Sequence, residues 1–207
     1  MKKKLALDTW NRKEHFHFFS QMEEPFFGIT AAIDCNKAYE KSKELGVTFF
    51  TYYLHKTLLA VNAIEAFRYR TIGSDVYLYD QIDASATILR EDKTFGFSLM
   101  KFDEDLTVFS EITKTEIERV KNTSGLITRE FENNLIHFSA LPWINFTAYS
   151  HARSFTWPDS CPKISIGKMN SENGKKTMPI SVHVHHGLLD GYQVGEFVNL
   201  FQNLMND

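Results

Sequence analysis

Cysteine is nearly absent: the 207-residue chain has two, Cys35 and Cys161. Two such distant thiols show neither metal-ligand spacing nor the density of a disulfide scaffold, which suits a reducing compartment. No apolar run approaches the roughly 20 residues needed to span a bilayer, and the N-terminus has no apolar signal segment. A soluble, cytoplasmic protein without a membrane partner is therefore expected. An excess of one charge is missing as well. The formal net charge is −3, with acidic and basic residues interspersed. The one basic cluster, Lys2-Lys3-Lys4, reads as a solvated end, so nucleic acid is not an expected partner. No repeat, low-complexity tract or linker divides the chain. The length suits a single domain over residues 1–207 with a core that needs no disulfide or metal.

Phenylalanine, by contrast, is abundant: 18 residues, enough for a phenyl-rich core or the wall of a pocket. Periodicity places an amphipathic helix over Thr9–Ser20, with Arg12, Phe16 and Phe19 on one stripe and Arg12 turned inward. Phe27–Asp34 reads as a strand, Asn36–Leu45 as a polar helix closed by Gly46, and Phe49–Ala63 as an apolar helix. Strands are expected at Phe67–Ile72 and Val76–Tyr79 around a Gly73-Ser74-Asp75 turn, then at Ala84–Leu89 and Phe95–Lys101. A charged helix follows over Leu106–Lys121, then strands at Leu135–Ala140 and Trp143–Tyr149. Lys163–Lys168 and Met178–His185 pair as a hairpin, and the apolar spacing from Val194 to Met205 is helical. The expected fold class is α/β, a two-layer sandwich of a mixed sheet with helices mainly on one face.

Chemistry concentrates in His185-His186-Gly187-Leu188-Leu189-Asp190-Gly191, where a strand meets the last helix. Alternation puts Ile180, Val182, Val184 and His186 on one face and Ser181, His183 and His185 on the other. His186 is thus expected on the core-facing side, where desolvation keeps an imidazole neutral and able to accept a proton near pH 7. The three histidines invite a zinc reading, but His183 and His185 face away from His186 and no third ligand stands nearby, so no metal is assigned. Asp190, with Gln193 three residues on, has the pattern of a capping box; it can also neutralise an inward arginine, for which Arg12 is the best choice. Both roles can hold together.

His186 with Asp190-Gly191 resembles the His-x-x-x-Asp-Gly signature of chloramphenicol acetyltransferase, the lipoamide acyltransferase cores and peptide-synthetase condensation domains. Trp10-Asn11-Arg12-Lys13-Glu14-His15-Phe16, Ser139-Ala140-Leu141-Pro142-Trp143-Ile144-Asn145-Phe146 and Gly167-Lys168 are collinear with the trimeric chloramphenicol acetyltransferases, which the chain resembles over nearly its whole length. The resemblance implies the fold of the CoA-dependent acyltransferases and transfer of acetyl from acetyl-CoA, a co-substrate rather than a bound cofactor, to a hydroxyl of chloramphenicol or a similar small acceptor. It gives His186 the role of general base. Asp190 becomes the partner of Arg12, Ser139 the donor to the oxyanion, and Ser165 a holder of water beside it. Lys168 is placed near the coenzyme's adenosine end, and Phe19 and Phe95 on the acceptor wall. The assembly implied is a homotrimer with active sites between subunits.

Two departures bear on the acceptor: Gly187-Leu188-Leu189 replaces the usual Ala-Val-Cys, and Pro25 stands where the family has a pocket-lining cysteine. The loop after Phe146 lacks the family's Asn-rich stretch. Two other readings remain. A lipoamide acyltransferase core would need a lipoyl domain, a linker and a length that are not here. A protein that binds a drug without turning it over is countered by the joint presence of Arg12, Ser139, His186 and Asp190.

Overall fold

The computed structural model describes residues 1–154, 156 and 158–207. The elements in chain order are β1 (Lys2–Lys4), α1 (Lys13–Phe19), β2 (Phe26–Asp34), α2 (Asn36–Glu44), α3 (Phe49–Ala63), β3 (Tyr69–Ile72), β4 (Asp75–Tyr79), β5 (Asp83–Leu89), β6 (Phe95–Phe97), α4 (Leu106–Lys121), β7 (Leu135–Leu141), β8 (Lys163–Gly167), β9 (Asn170–Glu172), β10 (Lys175–His185) and α5 (Gly191–Met205). The main sheet has the order β2-β10-β8-β7-β5-β6, with β9 paired to β10, and a small sheet runs β1-β4-β3. β5, β7 and β8 are parallel; β10 runs antiparallel to both β8 and β2. The class is the expected one, a mixed sheet with helices packed on one side. No helix among the described residues is long and apolar enough to cross a membrane.

Strand alternation divides the sheet into two unlike faces. Ile136, Phe138, Ile164, Ile166, Ile180, Val182 and Val184 are all buried, in one cluster with Leu54, Leu58 and Val61 of α3 and Val194, Phe197 and Phe201 of α5. The other face is polar. Its register lines up Ser139, Ser165 and Ser181, and one step further His137, Lys163 and His183. His183 lies opposite Gly28 of β2, and a Cβ at that glycine would fall inside the imidazole ring.

Turn chemistry accounts for the connections. Asn173 and Gly174, both at positive φ (50° and 77°), close the β9–β10 hairpin, as an Asn-Gly pair favours. Thr48 caps α3 by accepting from Thr51 N, and Asp105 caps α4 through Thr107 N and Val108 N. Three expectations fail. The first helix begins at Lys13, because Arg12 has the non-helical backbone of an N-cap and Leu7–Thr9 form a separate turn of 3-10 helix. Trp143–Tyr149 is not a strand: after Pro142 the chain turns, Ile144 N bonds back to Leu141 O, and Trp143 and Ile144 stay exposed. The strand that opens at Phe95 stops at Phe97 instead of running to Lys101, and Met100 rejoins Ala84 by a single bridge.

Gly28→Ala should displace the His183 ring and destabilise the fold by about 1–3 kcal/mol, the usual cost of overpacking. Urea denaturation of the variant checks this; an unchanged midpoint would mean that the ring has an alternative seat.

Candidate active site

The site is built where β10 ends. Main-sheet pairing stops at His185, opposite Phe26, and the chain leaves in a turn in which Leu188 N and Leu189 N both bond to His185 O. His186 lies one residue past this pairing yet keeps to the expected side: its ring meets Phe27, the register partner of Val184, while His185 meets Phe26 on the other face. His186 is half-buried in the turn. Its ring stacks on Phe19 at 3.8 Å with a 9° interplanar angle and meets Phe27 at 4.5 Å. Its backbone is held on both sides: the N–H donates to Pro25 O (2.7 Å), and the carbonyl accepts from Arg12 Nη2 (3.3 Å). Its Nδ1 is buried and has no hydrogen-bond partner among the described residues.

His185 is the desolvated histidine of the pair, 5 % exposed. Burial, reinforced by the nearby Arg153, pushes it down to about 4, so it is neutral at pH 7. Its Nδ1 accepts from Gly187 N at 3.1 Å.

Arg12 joins α1 to this turn. Its Nη1 meets Asp190 Oδ2 at 2.8 Å while Nη2 reaches His186 O, and its side chain is only 13 % exposed. Asp190 has both of the roles read for it. One oxygen accepts from Tyr192 N at 2.9 Å, and Gln193 Oε1 accepts from Asp190 N at 3.0 Å, a complete capping box at the start of α5. Partial burial would raise the Asp190 carboxyl, but the bonds from Arg12 and Tyr192 N outweigh it and hold the group below its ordinary value.

The remaining expected residues are spread over the sheet. Ser139 and Ser165 are register partners on the polar face; Ser165 is fully buried, with its Oγ 3.4 Å from His151 Nε2. Lys168 is exposed just beyond β8. Pro25 and Phe19 lie beside His186, but Phe95 is on β6, at the opposite edge of the sheet, so one chain does not bring Phe19 and Phe95 into a common wall. Nor does it join Ser139 to His186. Ser139 is two strands from Ser181, and His186 is five residues further along the chain. At about 4.8 Å per strand and about 3.3 Å per residue, the separation is roughly 15–20 Å.

Residues not foreseen from the sequence gather over the same polar face: His137, His151, Arg153, Asp159 and Lys163. Ligand atoms of His137, Asp159 and Cys161 lie within 4.8 Å of one another. That group is already served by a cation, since Lys163 pairs with Asp159 and also donates to Cys161 O (3.3 Å). The one sequence signal for this layer is the alternation that sets His183 and His185 on the face away from the core.

The architecture, a mixed sheet with helices on one face and a histidine at a strand end ahead of a capped helix, is that of the CoA-dependent acyltransferases. A solved probable dihydrolipoamide acetyltransferase from Listeria monocytogenes shares it at a TM-score of 0.70 and 13% identity, covering 93% of this chain and 88% of that one. A family model for chloramphenicol acetyltransferase matches residues 2–202, and the chain belongs to that family of enzymes. It is 28% identical over 200 residues to a chloramphenicol acetyltransferase of Bacillus pumilus, covering 96% of this chain and 91% of the relative. Identity is 27% over 206 residues to chloramphenicol acetyltransferase 3 of Escherichia coli, covering 98% and 96%. A solved chloramphenicol acetyltransferase superposes with a TM-score of 0.92 at 29% identity, over 99% of this chain and 100% of that one.

Asp190→Asn keeps an N-cap but removes the charge opposite Arg12. The expected loss is about 1.5–3 kcal/mol, the range for hydrogen bonds to charged groups. Because the folded carboxyl is depressed, this contribution should be fully present above the unfolded value of about 3.9 and should vanish as pH falls through the lower folded value. Thermal melts of both proteins from pH 7 to pH 2 should converge at the acid end; a constant gap would assign the loss to the cap instead.

Proposed function

We propose that this enzyme, a single domain over residues 1–207, transfers the acetyl group of acetyl-CoA to a hydroxyl of chloramphenicol, with His186 as general base. The observation that carries the reading is the hold on His186: stacked on Phe19, fixed at both backbone atoms, and followed by an Asp190 that is locked to Arg12. To accept a proton at Nε2, the neutral ring must carry its own proton on the buried Nδ1. Nε2 takes the hydroxyl proton as the oxygen attacks the thioester carbonyl, because an alcohol is a poor nucleophile at neutral pH without a positioned base. The tetrahedral intermediate carries an oxyanion, to which Ser139 donates, with water held by Ser165. Its collapse breaks the carbon–sulfur bond, and the imidazolium returns the proton to the leaving thiolate of CoA. Lys168, exposed beyond β8, suits the phosphates of acetyl-CoA. Phe19, Phe95 and Pro25 wall the acceptor, and no permanently bound cofactor takes part.

The separation of Ser139 from His186 within one chain supports sites built between copies, with His186 of one facing Ser139 of the next. The family resemblance supports a homotrimer as that assembly. A cytoplasmic location fits the two free, buried thiols.

Thiol release from acetyl-CoA tests the reaction. It should require chloramphenicol; binding of the drug without thiol release would leave only a sequestering protein. His186→Ala should lower turnover by about a hundred- to ten-thousand-fold with the fold intact. Ser139→Ala should lower turnover by up to about a hundred-fold with little change in Michaelis constant, since its bond forms mainly after attack. The two variants, unfolded and refolded together in equal amounts, should regain activity, because about a quarter of randomly formed interfaces then pair an intact His186 with an intact Ser139. No recovery, or a fully active species of 24.0 kDa in light scattering, would place both groups in one subunit.

A further inference from the structure

Among the described residues, cations outnumber carboxylates around the polar face of the main sheet. Arg70, on β3 beside that face, is fully buried and donates to the main-chain carbonyls of Phe67, Tyr69, Asn133 and Leu135. Lys163, 6 % exposed, pairs with Asp159. Arg153, with its side chain 10 % exposed, reaches Glu24 through Nη2 at 2.8 Å and stacks on the Phe26 ring at 3.5 Å. Three cations thus stand among two carboxylates, and the Glu24 side chain is 44 % exposed. The imidazoles among them add no charge at pH 7: burial, with neighbouring cations, pushes His137, His151 and His185 down to about 4 and lowers His183.

The imbalance has a definite location. Arg153 Nε and Nη1 are buried without any hydrogen-bond partner among the described residues. A guanidinium cannot shed its charge, and an unsatisfied buried N–H is costly, so two of them on one group point to a missing acceptor. Arg153 lines a cleft of about 560 Å³ between the α1–β2 connection, the β3–β4 turn and the loop around Asp159. Phe16 and Pro25 give this cleft apolar surface, and His185 lines it too. Because His185 Nδ1 accepts from Gly187 N, the neutral ring carries its proton on Nε2, a second donor. Asp159 is occupied by Lys163, and Glu23, the other carboxylate on the cleft, is exposed.

We propose that this cleft binds a small oxyanion, the carboxylate or phosphate group of an organic molecule, through Arg153 with His185 as second donor. The inference concerns binding alone and stands apart from the identity of the acetyl acceptor. An oxyanion seated on either free edge of the guanidinium takes an orphaned N–H and shares Nη2 with Glu24, so Glu24 competes with it.

Calorimetric titration of the full-length protein with benzoate and, separately, with inorganic phosphate tests the proposal, the two arms telling a carboxylate from a phosphate ligand. At least one should bind saturably. Arg153→Gln should weaken it by about tenfold or more, as expected for loss of a charge-assisted contact. Glu24→Gln, which removes the competitor, should strengthen it, and this opposite effect keeps the test decisive if the Arg153 variant folds poorly. Lys41→Gln, at an exposed lysine paired with Glu44, should change nothing. Binding of neither probe, equal affinity in the Arg153 variant, or an equal loss in the Lys41 variant would overturn it.

Discussion

One guanidinium ties a strand end to two helices. Arg12 donates to the Asp190 carboxylate and to the His186 carbonyl at the same time, so α1, the turn after β10 and the start of α5 become one unit. Each partner has a second tie. Asp190 caps α5, and His186 N is fixed to Pro25 O at the entrance to β2. A short turn between a strand and a helix would otherwise have several conformations, and a base must lie within hydrogen-bond reach of the proton it removes. In the reaction proposed above, the pair acts through geometry, by limiting where the imidazole of His186 can be. Being only partly buried, it adds less stability than a fully desolvated ion pair, but its loss would also leave a guanidinium that is 13 % exposed facing no charge.

The sheet supplies the second constraint. A strand pleats its side chains to opposite faces, so the same β8 and β10 that give Ile164, Ile166, Ile180 and Val182 to the core give Lys163, Ser165, Ser181 and His183 to the other side. Helices cover the apolar face. The polar face must satisfy its groups otherwise, and does so with the loop that brings His151, Arg153 and Asp159 over it. Ser165 finds His151, Lys163 finds Asp159, and Phe26 receives Arg153 on its ring. A glycine at position 28 makes room for His183 in this layer.

How much of this can be read from the sequence follows the range of each interaction. Alternation over Ile180–His185 gives both faces of β10, and the Asp190–Gln193 spacing gives the capping box, because each is local. Arg12 facing Asp190 across 178 residues is legible only because an inward cation at the start of a helix needs a partner and few carboxylates offer themselves. His186, one residue past the end of the pairing, still falls on the side that alternation predicts, against Phe27, the register partner of Val184. Trp143–Tyr149 reads as a strand because its aromatic content matches one, although Pro142 and the return of the chain toward Lys168 leave it no neighbour to pair with. The contacts of Arg153 with Glu24 and Phe26 depend on how a long loop folds over the sheet, and no spacing in the sequence encodes that.

The two kinds of position have different freedom to change. His186, Asp190 and Arg12 are tied to one another through backbone atoms, so altering one disturbs a strand end, a helix cap and a helix start together. Ser139 and Ser165 are fixed by strand register. Arg153, His151 and Asp159, in contrast, lie outside the strands and helices, where substitutions leave the ladder hydrogen bonds untouched. A scaffold of this design can keep its transfer chemistry while the loop redraws what lies over the polar face. The cationic, imidazole-rich lining here is one such drawing, and it belongs to the part of the chain that the fold constrains least.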